Sequence, residues 1–269
     1  MNRIDGMFER TRKEGRAALV TFLTAGDPNL ALTAQLVPEL ESAGADLIEL
    51  GFAHSDPIGE GKTIQAASER ALASGTTLRQ IIETVREIRQ VSEIPILLMG
   101  YMNNVLAYGE ARLAVDCARA GVDGLIVVDV PFDEGQRLQS ECDAHGIHRI
   151  LLVAPTSTPE RVVRIAARSR GFVYCVSVTG VTGARRELPA DLEALVRRIQ
   201  RVASVPVGVG FGISTGAQAA QVARIADAVV VGSALVERIG AGASPDASLR
   251  AASDFVRELA AAVRTARQS

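Results

Sequence analysis

The stretch SAGADLIEL, residues 42–50, runs from a helix end through an aspartate into an apolar, β-branched run. Two similar phrases recur, RAGVDGLIVV at 119–128 and RIADAVVVG at 224–232. Working outward from these three, the chain from residue 17 onward alternates short apolar runs with helical stretches. The strand candidates are AALVTFL (17–23), DLIEL (46–50), PILLM (95–99), GLIVVD (124–129), RILLV (149–153), FVYCVSV (172–178), VPVGVGF (205–211) and DAVVVG (227–232). Most are nearly continuous in Val, Ile and Leu, as expected when both faces of a parallel strand are covered. Between them lie helices such as LALTAQLVPELESAG (30–44), apolar at Leu32, Leu36, Val37 and Leu40, with Pro28 near its start and Gly44 at its end. This alternation predicts βαβ units. Eight of them in a chain of about this length predict an α/β fold, the (β/α)8 TIM barrel.

An open doubly wound sheet is the rival architecture, but the first turn carries no dinucleotide fingerprint. Ile4, Met7 and Phe8 fall on one helical face, which predicts an extra N-terminal helix capping the bottom of the barrel. No linker or low-complexity tract interrupts the chain, so residues 1–269 are expected to form a single TIM-barrel domain.

Of the 269 residues, 48% are hydrophobic and 22% charged, with a net charge of −2. That composition is ordinary for a soluble globular protein, and it leaves no basic footprint for nucleic acid. The three cysteines Cys117, Cys142 and Cys175 are scattered and lack CxxC spacing, which predicts reduced thiols in a cytosol and no metal site. MNRIDGMFERTRKEGR (1–16) lacks the apolar core of a signal peptide, and no apolar run is long enough to span a membrane. The expectation is a soluble, cytoplasmic protein.

In this fold, chemistry collects at the C-terminal ends of the strands. The residues just after them are TAGDPN (24–29), Glu49 with the long loop to Glu60, GYMNN (100–104), Asp129 with VPFDE (130–134), VTGVTGARREL (178–188), GFGIS (210–214) and GSA (232–234). GFGIS and GSA each expose backbone N–H groups just before a helix, an arrangement suited to phosphate. The polar, glycine-bearing GVTGARREL has the character of a lid. GKT at 61–63 is not a P-loop, since Asp56 stands where the motif needs glycine, and GVGFG (208–212) is followed by Ile213, which breaks GxGxxG spacing.

Leu47, Glu49 and Gly51 share one face of their strand. If that face points inward, Glu49 sits atop the apolar core, where desolvation raises its pKa and suits it to proton transfer near neutral pH. Glu60 lies in a loop, where composition alone favours a solvated charge. His54 reads as a loop or interface residue, and His145 and His148 as structural.

FLTAGDPN (22–29), IELG (48–51), SDP (55–57), TIQ (63–65), LMGYMNN (98–104), AYG (107–109), VVDVP (127–131), GFVYCVS (171–177), TGVTG (179–183), GFGIS and VVGSA (230–234) occur in this order over nearly the whole chain. Together they closely resemble the α subunit of tryptophan synthase. The resemblance implies a carbon–carbon lyase that cleaves indole-3-glycerol phosphate to indole and glyceraldehyde 3-phosphate in tryptophan biosynthesis. Carried over by position, Glu49 is the acid–base group at ring C3 and the glycerol end, and Glu60 the carboxylate facing the ring nitrogen. Phe22, Met99, Ile126 and Phe211 would wall the indole, with Tyr174 beside Glu49 and Thr182 in the lid. Gly183, Gly212, Gly232 and Ser233 would hold the phosphate. Asp56, Pro57, Asn103 and Pro131 would face a β subunit in an α2β2 heterotetramer. The α chain would need no cofactor and no metal, pyridoxal phosphate belonging to the β partner.

The chain departs from the family pattern on one loop and its neighbours. Glu60 replaces the usual Asp, Lys62 a Pro, Ala53 a Pro and His54 a commoner Phe, while Asn103-Asn104 replaces Asn-Pro. Alternatives to the ordinary subunit are a stand-alone lyase-like paralogue and a weakly catalytic subunit that mainly binds and activates the β chain.

Overall fold

A computed structural model describes residues 1–176, 191–210 and 212–268. Its strands are β1 (Ala18–Thr24), β2 (Leu47–Gly51), β3 (Ile96–Gly100), β4 (Gly124–Val127), β5 (His148–Arg149), β6 (Leu151–Val153), β7 (Val173–Val176), β8 (Val207–Gly210) and β9 (Ala228–Val231). All pair in parallel, in the order β5-β4-β3-β2-β1-β9-β8-β7-β6. The two ends of that order, β5 and β6, are separated in sequence by Ile150 alone. Ile150 N–H donates to Leu125 O at 3.1 Å. The two segments are halves of one fifth barrel strand, the first paired with β4 and the second with β7, so the sheet closes into the (β/α)8 barrel expected from the sequence.

The helices among the described residues are α1 (Arg3–Lys13), α2 (Leu30–Ala43), α3 (Lys62–Ala73), α4 (Leu78–Ile88), α5 (Met102–Tyr108), α6 (Glu110–Ala120), α7 (Gln136–Ala144), α8 (Pro159–Arg168), α9 (Leu192–Gln200), α10 (Gly216–Ile225), α11 (Ser233–Gly240) and α12 (Pro245–Thr265). Strand side chains divide by parity. Leu19, Ile48, Leu50, Ile96, Leu98 and Val229 pack outward in one apolar cluster with the helices. Ala18, Val20, Leu47, Leu97, Ile126, Ile150, Phe172, Ala228 and Val230 fill the barrel interior. Period-2 alternation with both faces apolar is why these strands read as continuous Val/Ile/Leu runs.

The repeated phrase has a physical basis. In two of its copies, a glycine in the left-handed region ends the preceding helix, Gly44 at φ 110° and Gly121 at φ 87°, a geometry that disfavours any side chain. The aspartate that follows makes a two-point link to the neighbouring strand. Asp46 N–H donates to Leu19 O at 2.8 Å, and its Oδ2 accepts from Leu19 N–H at 2.9 Å. Asp123 does the same to Ile96 at 2.8 and 2.9 Å, and Asp227 to Val207 at 2.9 and 2.9 Å. Each aspartate thus pins the register of two adjacent strands at the N-terminal rim. Two of them also neutralise arginines: Asp46 bonds Arg16 at 2.6 and 2.8 Å, and Asp123 bonds Arg89 at 2.8 Å and Arg3 at 3.1 Å.

Helix α1 closes that rim, as its apolar face predicts. The Asn2 side chain caps it by accepting from Ile4 N–H at 2.9 Å. Ile4, Met7 and Phe8 are buried against the interior cluster, with the Phe8 and Phe172 rings 5.7 Å apart. His148 bonds Asp5 at 2.8 Å and so ties the fifth strand to α1. No helix of the described residues is long and apolar enough to cross a membrane.

Replacing Asp227 by alanine removes one acceptor and should cost about 1–2 kcal/mol. Asp123→Ala should cost more, about 3–5 kcal/mol, because it also strands the buried Arg89 guanidinium. Urea unfolding of both variants measures the difference, and equal losses would contradict this account of the rim.

Candidate active site

Strand register decides where Glu49 points. Phe22 lies opposite Glu49 on β1, and Leu97 lies opposite it on β3. Glu49 therefore shares the inward parity of Leu47, one step nearer the mouth. It is 1% exposed, and its Oε1 has no hydrogen-bond partner. Burial, and secondarily the charge of Glu60, push its pKa up to about 8.

Glu60 is not the solvated loop charge that composition suggests; it is 8% exposed. The loop from Ala53 to Gly61 turns back over the barrel mouth. Its last turn is closed by Glu60 N–H donating to Pro57 O at 2.9 Å, and Gln65 Nε2 donates to Glu60 O at 2.8 Å. Lys62 is exposed as the first residue of α3, a position where proline also fits. Asp27, from the loop after β1, accepts a two-pronged bond from Arg70 at 2.7 and 2.8 Å. That pair holds α3, and hence the end of the Glu60 loop, against the first strand.

The two carboxylates line one cavity of about 390 Å³. Its apolar wall comes from Phe22, Ile64, Met99, Val128, Leu152, Tyr174, Val176 and Val230, all on the inward faces of strands or their continuations except Ile64 of α3. The Tyr174 phenol is partly buried against the interior cluster, and desolvation with the nearby Glu49 and Glu60 charges raises its pKa. A Cβ at Gly210 would collide with the Tyr174 ring, so the glycine of β8 leaves the ring its place. Across the cavity stand Gly212, at φ 46°, and Gly232 with Ser233, where α11 begins. The first turn of a helix leaves backbone N–H groups without intrahelical acceptors, so this side suits an anion.

The structure brings together Phe22, Glu49, Glu60, Met99, Tyr174, Gly212, Gly232 and Ser233 of the residues expected at the site. It does not bring Ile126 there. Ile126 is fully buried one layer down, within the interior cluster, and Val128, two residues further on the same face, lines the cavity instead. Thr182, Gly183 and Phe211 lie outside the described residues. Asp56, Asn103 and Pro131 are exposed and Pro57 half-buried, Asn103 in the first turn of α5 and the others on the loops after β2 and β4. Sequence reasoning gave no role to Tyr101, Val128 or Asp129, which also line the cavity. Their signal was position alone, each standing just beyond a strand end. Among the described residues, no group of three or more His, Cys, Asp or Glu side chains is placed to hold a metal ion.

A buried acid beside a second carboxylate, an apolar slot and a helix-start anion site at a barrel mouth define an enzyme that moves protons on a largely apolar, anion-tailed substrate. Comparison with known proteins agrees. The family described as Tryptophan synthase alpha chain matches residues 8–264. The chain is 53% identical over 237 residues to the tryptophan synthase alpha chain of Citrifermentans bemidjiense, covering 88% of this chain and 89% of that one. It is 47% identical over 259 residues to that of Caldanaerobacter subterraneus subsp. tengcongensis, covering 96% and 98%. Among solved structures, a Mycobacterium tuberculosis tryptophan synthase chain superposes with a TM-score of 0.90 at 40% identity, covering 98% of both chains. The alpha chain from Legionella pneumophila subsp. pneumophila gives 0.89 at 37% identity, also covering 98% of both. The chain belongs to the tryptophan synthase alpha chain family, whose members are carbon–carbon lyases.

Holding Glu49 neutral has a thermodynamic signature. Between its unfolded value near 4.5 and its folded value of about 8, the folded chain keeps a proton that the unfolded chain has released. Stability should therefore fall as pH rises through that window, by about 1.4 kcal/mol per pH unit. Glu49→Gln, which cannot ionise, should be more stable than the parent by on the order of 3 kcal/mol at pH 7 and indistinguishable from it near pH 4. Denaturant unfolding at the two pH values checks this.

Proposed function

We propose that this cavity is where indole-3-glycerol phosphate is cleaved to indole and glyceraldehyde 3-phosphate, with Glu49 and Glu60 as the working pair. The observation that carries this reading is the buried Glu49 carboxyl, its Oε1 unpartnered, lining an apolar slot that ends at the Gly232–Ser233 helix start. The slot's volume is within the range of small-ligand pockets. The phosphate would rest on the backbone N–H groups around Gly212, Gly232 and Ser233, with Gly183 joining them, and the indole between Phe22, Met99, Val128 and Leu152. Phe211 and Thr182 would complete the wall and the lid.

The chemistry balances without water or a redox partner. Neutral Glu49 gives its proton to ring C3, and the positive charge that develops on the ring nitrogen falls to the Glu60 carboxylate. The C–C bond between ring and side chain then breaks, its electron pair restoring the aromatic ring. The side-chain hydroxyl becomes an aldehyde and returns its proton to Glu49. One carboxyl thus gives and regains a proton, for which a pKa near neutrality is suited.

The same reading assigns the surface carrying Asp56, Pro57, Asn103 and Pro131 to a β subunit in an α2β2 assembly, where indole passes on for tryptophan synthesis. Pyridoxal phosphate would reside in that partner, with no cofactor in this chain. A single domain spanning residues 1–269 and a cytoplasmic location complete the proposal.

Indole release from indole-3-glycerol phosphate, measured with and without a tryptophan synthase β subunit, tests it. Slow release that rises sharply with the partner is expected. Fast release indifferent to the partner would mean a stand-alone lyase, and none in either condition would overturn the reading. Glu49→Gln should lower the rate by on the order of 10² to 10⁴, whereas Glu60→Asp should keep it within about tenfold. Because Glu49 must start protonated, kcat/KM should fall as pH rises through about 8.

A further inference from the structure

The loop that carries Glu60 is exposed at Asp56, and Ile58 is 75% exposed, yet Glu60 itself is held at the barrel mouth. What holds it comes from the start of α5. Tyr101, the residue before that helix, is 7% exposed, and its Oη accepts from Gly59 N–H at 3.2 Å. Its ring stacks on His54, with centroids 4.9 Å apart and planes inclined by 22°. Asn104, one turn along, donates from Nδ2 to Ala53 O at 3.4 Å. The loop is therefore gripped at Ala53, His54 and Gly59 by a single segment. That segment is itself anchored, since Asp129 Oδ1 accepts from Met102 N–H at 2.8 Å. A side chain at Gly59 would crowd Tyr101 Oη at 3.3 Å, so the close approach favours glycine there.

We propose that Tyr101 is a positioning residue for Glu60, acting through its hydroxyl on the backbone of Gly59. The proposal rests on the function given above. Gly59 is the residue before Glu60, so releasing its N–H frees the carboxylate's own backbone, and a displacement of about 1 Å at a catalytic group costs on the order of 10² in rate. The stack on His54 keeps the Tyr101 ring from turning away, and the Asn104 bond fixes the other end of the loop. Tyr101 also lines the cavity, so a direct contact with substrate is the competing role that a test must separate.

Tyr101→Phe keeps the ring and its stack and removes the hydroxyl. In the full chain with the β subunit, kcat for indole release should fall about 10- to 100-fold with KM changed less than about threefold. In a Glu60→Gln background the same substitution should change kcat less than twofold, because the group being positioned is gone. His54→Phe should match the parent, while His54→Ala should lose several-fold. A second readout needs no turnover. Glu49 faces Glu60 and Tyr174, and its titration, followed by carboxyl infrared or carbon NMR, should move down toward the ordinary range in Tyr101→Phe as the Glu60 charge moves off. An unchanged kcat with an unchanged Glu49 titration overturns the proposal. An equal loss in the Glu60→Gln background also overturns it and assigns Tyr101 to substrate contact instead. If the parent chain releases no indole, the functional reading fails while the titration still decides what Tyr101 does.

Discussion

Three aspartate carboxylates at the N-terminal rim set the frame on which everything at the opposite end depends. Asp46, Asp123 and Asp227 each exchange two hydrogen bonds with one residue of the adjoining strand. Parallel strands have no tight hairpin to fix their alignment, so an aspartate that takes a neighbour's N–H on its carboxylate and gives its own backbone N–H to that neighbour's C=O supplies it. The consequence is felt in parity. A slip of one residue turns every side chain to the other face, and on β2 it would move Glu49 from the cavity into the layer between sheet and helices.

Fixed by that frame, Glu49 is a carboxyl kept neutral by its surroundings. The Phe22 ring opposite it and the Tyr174 phenol contribute apolar surface, and Glu60 opposes ionisation further. Native proteins usually pair or hydrogen-bond such a group, so its unpartnered Oε1 is a standing cost to the fold. The departures from the family pattern at Ala53, His54, Asn104 and Glu60 gather at the same place. Their side chains or backbones meet around Tyr101, so a longer acid at position 60 sits in a loop whose supports have changed with it.

Sequence patterning carried the barrel well because short runs apolar on both faces, alternating with helices, suit a parallel sheet covered on each side and little else. The repeated helix–aspartate–strand phrase was visible, but its two-point bond was not, since the partner strand lies about 20 to 30 residues earlier. Alternation told which residues share a face with Glu49. It said nothing of height along the barrel, and for that reason Ile126 is expected in the cavity wall, where Val128 stands. Strand stagger sets height, and stagger is a property of closure rather than of any one strand. The burial of Glu60 and the contact of its loop with Tyr101 were hidden for a different reason: one loop folds back onto the start of another helix, and no local periodicity records that contact.

The floor of the barrel bears on how the chain is made. Helix α1 leaves the ribosome before the strands it seals, for Asp5 finds its partner His148 143 residues later, and Phe8 packs on Phe172. Until those segments emerge, the face formed by Ile4, Met7 and Phe8 has nothing to bury against. At ordinary translation rates that wait lasts on the order of ten seconds. The arginines, lysine and glutamates that surround this face between Arg3 and Glu14 keep the nascent helix soluble while it waits, and sealing of the floor becomes a late event that only a nearly complete barrel can support.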